Sequence, residues 1–273
     1  MNLLKNHYKS YLIISALLAI LLFTQRIELI AFAAILIYWT GIKIFTLHEN
    51  KFVRSLAFIL VLLFSIGLVF HKIPGFHNIL FFDKIKLSIK SSPYSAYINF
   101  DKPFLALLLF YYYNKRKLYK IKFASALIYG LLLTIIAVST LAILSIYADF
   151  IKFDPKIPKI IWIWIPMNIA VVIAEEACSR GFIQTSLMYG LRKCKISPAY
   201  AGFIAITLVS ILFGIGHYFT GGPTYMLISG IAGLFYGYAL YKTRMIETSF
   251  LVHFLVNLIH ICLFTYPSLV HTP

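Results

Sequence analysis

Long apolar runs recur along the whole chain of 273 residues, and short segments between them carry most of the charge. A helix that crosses a membrane needs about 20 consecutive, mostly apolar residues. Runs that meet or approach this length lie at 10–23, 29–47, 53–70, 97–113, 123–148, 160–191, 198–217, 225–241 and 248–266. The first run is short. The sequence therefore predicts an all-α fold, a polytopic transmembrane helical bundle with about eight or nine spans.

Composition supports the same class of protein. Only 12% of the residues are charged and 61% are hydrophobic, whereas ordinary soluble domains are about 25% charged. This excludes a secreted disulfide scaffold, a disordered chain and a water-soluble enzyme of the usual type. The formal net charge of +16 could suggest nucleic acid as a partner, but the basic residues cluster in short loops between apolar runs. We therefore expect membrane lipid, and no nucleic acid, around this chain.

The distribution of basic residues also predicts an orientation. A cytoplasmic N-terminus places more of the Lys and Arg residues on the cytoplasmic side, including Arg116, Lys117 and Lys120, as the positive-inside rule requires. The basic segment 71–102 fits this scheme poorly and is expected to lie along the membrane interface. Frequent Ile, Phe, Tyr and Lys suggest a microbial protein. We expect an integral protein of a prokaryotic cytoplasmic (inner) membrane.

Three charged side chains interrupt the apolar run 160–191. They are Glu175, Glu176 and Arg180, and each costs at least about 2.5–3.5 kcal/mol to insert at the centre of a membrane. Arg180 is four residues after Glu176, so the two can pair on one helix face, whereas Glu175 points about 100° away. A carboxylate without a cation suits a general base or acid. The structural alternative is an ion pair plus a protonated Glu that bonds to another helix.

Further polar groups occur in the later apolar runs. Phe213 precedes His217 by four residues, and His253 precedes Asn257 by four, which places the second pair on one helix face. A carboxylate and imidazoles can deprotonate water, and neutral donors can stabilise an oxyanion. Between the two regions, Gly221-Gly222-Pro223 predicts a break in the apolar stretch. Gly233 and Gly237 form a small-residue motif that predicts close packing within the chain.

Three motifs in this order resemble the CAAX protease and bacteriocin-processing family. They are EExxxR at 175–180, FxxxH at 213–217 and HxxxN at 253–257. The family includes the type II CAAX prenyl endopeptidases and the lysostaphin-resistance-type intramembrane proteases. The resemblance covers about 123–266. It predicts N-terminal membrane helices without a recognised motif at 1–122 and a CAAX-protease-like catalytic membrane domain at 123–273.

The resemblance implies a role for each motif residue. Glu175 would activate water together with His217, and His253 and Asn257 would form the oxyanion hole. Glu176 and Arg180 would organise the site, with Phe213 in support. We favour a glutamic mechanism without a cofactor, because the chain has no HExxH. A zinc ion held by Glu175, His217 and His253 remains an alternative, since all three are legitimate ligand types.

The sequence is compatible with several functions. The first is an intramembrane endopeptidase that cleaves a membrane-associated peptide or protein, with prenylated proteins, bacteriocin leaders and sorting peptides as candidate substrates. The second is a non-proteolytic immunity or partner-binding membrane protein. The third is a proton-coupled transporter that uses the buried ionisable groups as a relay. A covalent mechanism through Cys178 or Ser179 is disfavoured because neither has a visible base. The sequence predicts no oligomeric state.

Overall fold

The computed structural model describes residues 2–115 and 122–270. The basic residues Arg116, Lys117 and Lys120, which the orientation argument used, lie outside the described residues. The chain forms two compact units, of which one contains 1–80 and 97–108 and the other contains 81–96 and 109–273. The division at 122 that the sequence predicts stays a prediction.

Three helices make up most of the first unit: α1 (Asn2–Phe23), α2 (Leu29–Leu47) and α3 (Lys51–Val69). Helices α2 and α3 pack against each other. Asn50 caps α3, because its Oδ1 accepts a hydrogen bond from the backbone N–H of Phe52 at 2.8 Å. Inside the pair, the hydroxyls of Tyr38 and Ser65 lie 2.8 Å apart, so the polar groups of these two apolar helices satisfy each other.

A β-hairpin corrects the all-α prediction. It consists of β1 (Ile79–Ile85) and β2 (Tyr94–Ile98), which pair as a two-stranded sheet. Both strands lie within the basic segment 71–102, where the sequence alternates apolar, aromatic and polar residues instead of forming a long apolar run. Ile, Phe and Tyr favour strands, and pairing satisfies the backbone groups of a segment too short to span. Helix α4 (Lys102–Lys115) follows.

The second unit contains the remaining helical elements. They are α5 (Phe123–Tyr147), α6 (Ile161–Glu176), a π-helix (Ala177–Gln184), α7 (Thr185–Lys193), α8 (Pro198–Thr243) and α9 (Ile246–Leu263). Helix α9 packs against α5, α6 and α8. A core cluster ties three of these together through Leu133 and Ala137 of α5, Tyr236 of α8 and Val252 of α9. This arrangement holds the segments that carry the three motifs in contact.

Helix α8 is broken at the predicted position. Gly221 and Gly222 have non-helical backbone angles, and Gly222 has φ of 70°, which favours glycine. The chain then reverses, and the two halves of α8 pack closely. A Cβ added at Gly214 would lie only 2.5 Å from the carbonyl oxygen of Met226. The predicted break is confirmed. The predicted packing of Gly233 and Gly237 within the chain is confirmed as well, since they lie against Ser210 and Ile206 in the other half of α8.

Six helices among the described residues are long and apolar enough to cross a membrane: Leu29–Leu47, Lys51–Val69, Phe123–Tyr147, Ile161–Lys193, Pro198–Thr243 and Ile246–Leu263. The predicted count of eight or nine is therefore not confirmed. The predicted runs 198–217 and 225–241 form the two halves of one folded-back helix, and 97–113 corresponds to the 14-residue helix α4. The chain is an integral membrane protein whose fold is mostly helical.

Paired segments close one end of the second unit. The loop after α5 and the residues after α9 pair, with a bridge between Phe153 and Phe264. The backbone N–H of Leu269 donates to the carbonyl of Phe150 at 2.9 Å. These contacts fix Phe150 at the end of α5, where its ring reaches α8.

Candidate active site

The EExxxR motif lies where α6 changes from α-helical to π-helical geometry. Glu175 and Glu176 end α6, and Arg180 lies within the π-helix Ala177–Gln184. A π-helix is rare and frequently marks a functional site. Here it widens the helix at the point where three ionisable side chains must be accommodated.

Both carboxylate oxygens of Glu176 have bonding partners. Its Oε1 lies 3.3 Å from Nη1 of Arg180 and 2.9 Å from Nδ1 of His253. Its Oε2 accepts a hydrogen bond from Oγ of Ser249 at 2.6 Å. The side chains of Glu176 and Arg180 are both completely buried. The ion pair predicted from their spacing is therefore confirmed, and it is reinforced by two residues of α9.

The guanidinium of Arg180 is enclosed on several sides. Its Nη1 donates to Oγ of Ser179 at 2.6 Å, and its Nη2 donates to the carbonyl of Gly233 at 3.2 Å. Its Cζ lies 4.4 Å from the centre of the Phe213 ring and 5.3 Å from that of Tyr236. Such contacts stabilise a desolvated cation. Arg180 therefore joins the π-helix to both halves of α8.

Glu175 differs from its neighbour. Its side chain is 18% exposed, and Nε2 of His253 lies 3.9 Å from its Oε2. Oγ of Ser179 donates to the backbone carbonyl of Glu175 and also accepts from Arg180. Ser179 is thus bonded within its own helix, and the carboxylate of Glu175 stays partly exposed.

His253 lies between the two glutamates. Its Nδ1 donates to Glu176, so its Nε2 is the atom that points towards Glu175. The ring of Tyr236 stacks on the imidazole, with centroids 4.3 Å apart and an interplanar angle of 13°. A hydrogen bond on one edge and a ring on one face fix the orientation of this imidazole.

His217 is held by a different set of groups. Its Nδ1 donates to the carbonyl of Phe213 at 2.8 Å; a carbonyl only accepts, so Nδ1 carries a proton, and Nε2 is the acceptor of the neutral ring. The rings of Phe213 and Tyr225 lie 4.5 and 5.2 Å from its own ring. Phe150 stacks on Tyr225, with ring centroids 5.7 Å apart. The paired segments at the end of the unit thereby support His217.

Phe213 connects the two imidazoles. Its ring centroid is 4.5 Å from that of His217 and 5.8 Å from that of His253. Among the described residues, no ion pair joins His217 to Glu175, and the amide of Asn257 has no hydrogen bond. The structure therefore joins Glu175, Glu176, Arg180 and His253 directly. It brings His217 to them through Phe213.

The predicted zinc alternative does not fit these residues. Within 2–115 and 122–270, no group of three or more His, Cys, Asp and Glu side chains is arranged to hold a metal ion. Glu175, His217 and His253 accordingly do not converge as a ligand set.

Several side chains at the site were not predicted. Ser249 precedes His253 by four residues, so helical spacing could have found it. Tyr225 and Tyr236 contact the two imidazoles from α8, and no local spacing relates them to His253.

Comparison with known proteins identifies the segment that carries this site. Residues 157–259 match the family model described as Type II CAAX prenyl endopeptidase Rce1-like. The resemblance inferred from the three motifs is thus confirmed. The matched segment contains all seven motif residues discussed above. Neither curated proteins nor solved structures gave a match.

The match identifies a protease type for this segment. The Rce1-like family is a family of proteases, which are hydrolases, and the candidate spans place the matched segment in a membrane. The chain is therefore an integral membrane protein, and its residues 157–259 are similar to the CAAX protease family.

Proposed function

We propose that this protein is an intramembrane glutamic endopeptidase that hydrolyses a peptide bond of a membrane-associated peptide or protein. The observation that carries the proposal is the difference between adjacent carboxylates. Glu176 is buried and bonded to three side chains, whereas Glu175 is partly exposed and its carboxylate has no hydrogen-bond partner among the described residues. Only Glu175 has room to hold and deprotonate a water molecule.

The first chemical step is attack by water. Glu175 takes one proton from the water, and the resulting hydroxide forms a bond to the carbonyl carbon of the peptide. His217 supports this step, since its Nε2 is an acceptor and can orient the water through a second hydrogen bond. The carbonyl π electrons move to the oxygen, which becomes an oxyanion.

The second step is collapse of the tetrahedral intermediate. The amide of Asn257 and, when it is protonated, Nε2 of His253 donate to the oxyanion. Glu175 then transfers its proton to the leaving nitrogen, and the C–N bond breaks. One water is consumed, and a carboxyl group and an amine are released. Glu176 and Arg180 act as positioning residues that fix His253.

We place the protein in a prokaryotic cytoplasmic membrane with its N-terminus in the cytoplasm. The excess of Lys and Arg in the loops assigned to that side supports the orientation. A processing protease is the proposed role.

Mass spectrometry of terminal peptides tests the proposal. Host membranes that carry the wild type are compared with membranes that carry Glu175→Gln. We expect new termini only with the wild type, because loss of general base catalysis reduces the rate about 10²–10⁴-fold. Glu49→Gln, at an exposed loop carboxylate, is the matched control and should yield the wild-type termini.

Two results would overturn the proposal. Identical termini from wild type and Glu175→Gln, at equal abundance and with both proteins folded, would contradict a protease. Proton flux that depends on Glu175 without any new termini would support a transporter instead.

A further inference from the structure

Asn168 is an unsatisfied amide inside a spanning helix. It lies in α6, and its Oδ1 is buried without a hydrogen-bond partner. Among the described residues its Nδ2 has no partner either, and this atom is not fully buried. An amide that is removed from water without a hydrogen bond costs free energy, so an unpaired one in a membrane helix requires an explanation.

The amide of Gln184 provides a comparison. Its side chain is completely buried, and its Nε2 donates to the carbonyl of Gly237 at 2.9 Å. That amide joins the π-helix to α8 and has a structural role. Asn168 joins nothing in the described part of the chain.

The position of Asn168 relates it to Glu175. The two are seven residues apart on α6, which is two turns, so they lie within about 20° of the same face and about 10 Å apart along the axis. Trp164 and Val172 are buried on this face. Asn168 therefore lies on the inward side of α6 and on the same line as Glu175.

The partner of this face is α9. The two helices are antiparallel, with Glu176 bonded to His253 at one level and Trp164 packed with Ile261 at another. Asn168 lies between these levels. Asn257 follows His253 by one turn in the same direction, and its amide is also unpaired within the described residues. Two amides without a hydrogen bond within the described residues, those of Asn168 and Asn257, thus lie beyond Glu175 along the contact between α6 and α9.

We propose that Asn168 is a substrate-binding residue that hydrogen-bonds the peptide backbone about three residues from the bond that Glu175 cleaves. An extended peptide rises about 3.3 Å per residue, so the separation of about 10 Å corresponds to three residues. The assignment rests on the proposed function. It predicts that the substrate lies extended along α6, past Asn168 and Glu175.

Kinetics with a defined peptide test this assignment. The full chain is reconstituted in vesicles and given a quenched fluorescent peptide whose sequence comes from a Glu175-dependent cleavage site. Asn168→Leu preserves approximate volume and removes both hydrogen-bonding groups. We expect KM to rise about five- to tenfold, the value of one hydrogen bond, while kcat stays within about twofold.

Ester substitution in the peptide gives the second measurement. An ester removes one backbone N–H and weakens the adjoining carbonyl as an acceptor. We expect an ester three residues from the cleaved bond, on one side of it, to raise KM about five- to tenfold. In the variant Asn168→Leu, the same ester should cause no further rise in KM. The matched control is Asn99→Leu, which removes another buried unpaired amide oxygen outside the spans.

The outcomes separate the two proposals. If no variant and no peptide shows Glu175-dependent cleavage, the proposed function itself fails. If cleavage occurs but Asn168→Leu leaves KM unchanged, or the ester effect persists in that variant, the assignment of Asn168 is overturned. If Asn168→Leu does not fold, an ester scan of the wild type decides, and equal KM at every position contradicts the assignment.

Discussion

The two histidines of the site are held by different means. His253 bonds to a buried carboxylate that also binds Arg180 and Ser249, and it stacks on Tyr236. His217 has one hydrogen bond to its own helix and two aromatic contacts. The surroundings of His253 belong to the interior that stabilises the fold. The groups around His217 only orient its ring. Replacing His253 should therefore lower the stability of the fold more than replacing His217 does.

The largest effect on stability should come from Arg180→Leu. The variant leaves Glu176 buried without its cation, and breaking one partner of a buried pair costs about 3–5 kcal/mol. Thermal unfolding in detergent measures the loss. Arg192→Leu, at an exposed site in α7, should unfold as the wild type does. The double variant Glu176→Gln with Arg180→Leu should recover part of the loss, and no recovery would contradict the pairing.

A smaller difference is expected between the two histidine variants. His253→Gln weakens the hydrogen bond to Glu176 and should lower the free energy of unfolding by about 1–3 kcal/mol. His217→Gln should lower it by less than about 1 kcal/mol, because no buried charge depends on it. Both should abolish proteolysis. Equal unfolding temperatures for the two variants would contradict the comparison.

The smallest expected effect concerns Tyr225. Tyr225→Leu removes the ring that contacts His217 and Phe150 and should reduce kcat about tenfold, because a displaced catalytic group loses its alignment. Tyr225→Phe retains both ring contacts and should keep most of the activity. Cleavage of the defined peptide measures both. If the Phe and Leu variants are equally impaired, the ring contact does not orient His217.

Helix-level features of the second unit could be predicted from the sequence. The charged motif stands out in an apolar run, and spacing of four residues within one helix predicts the pair Glu176–Arg180. The Gly-Gly-Pro sequence predicts the reversal at Gly221 and Gly222. The span count could not be predicted as reliably, because hydropathy alone does not distinguish a short apolar helix such as α4 from a membrane crossing.

The sequence by itself determined the class of the protein, since a chain with so few charged residues must bury its apolar runs in lipid. The order of the three motifs predicted the family whose model residues 157–259 match. Only the tertiary structure decided which imidazole meets which glutamate. Helical periodicity relates residues of one helix, whereas the contact of His253 with both glutamates depends on how α6 and α9 pack. The packing of α8 against α9 brings Tyr236 to His253, and within the described residues the amide of Asn168 has no partner.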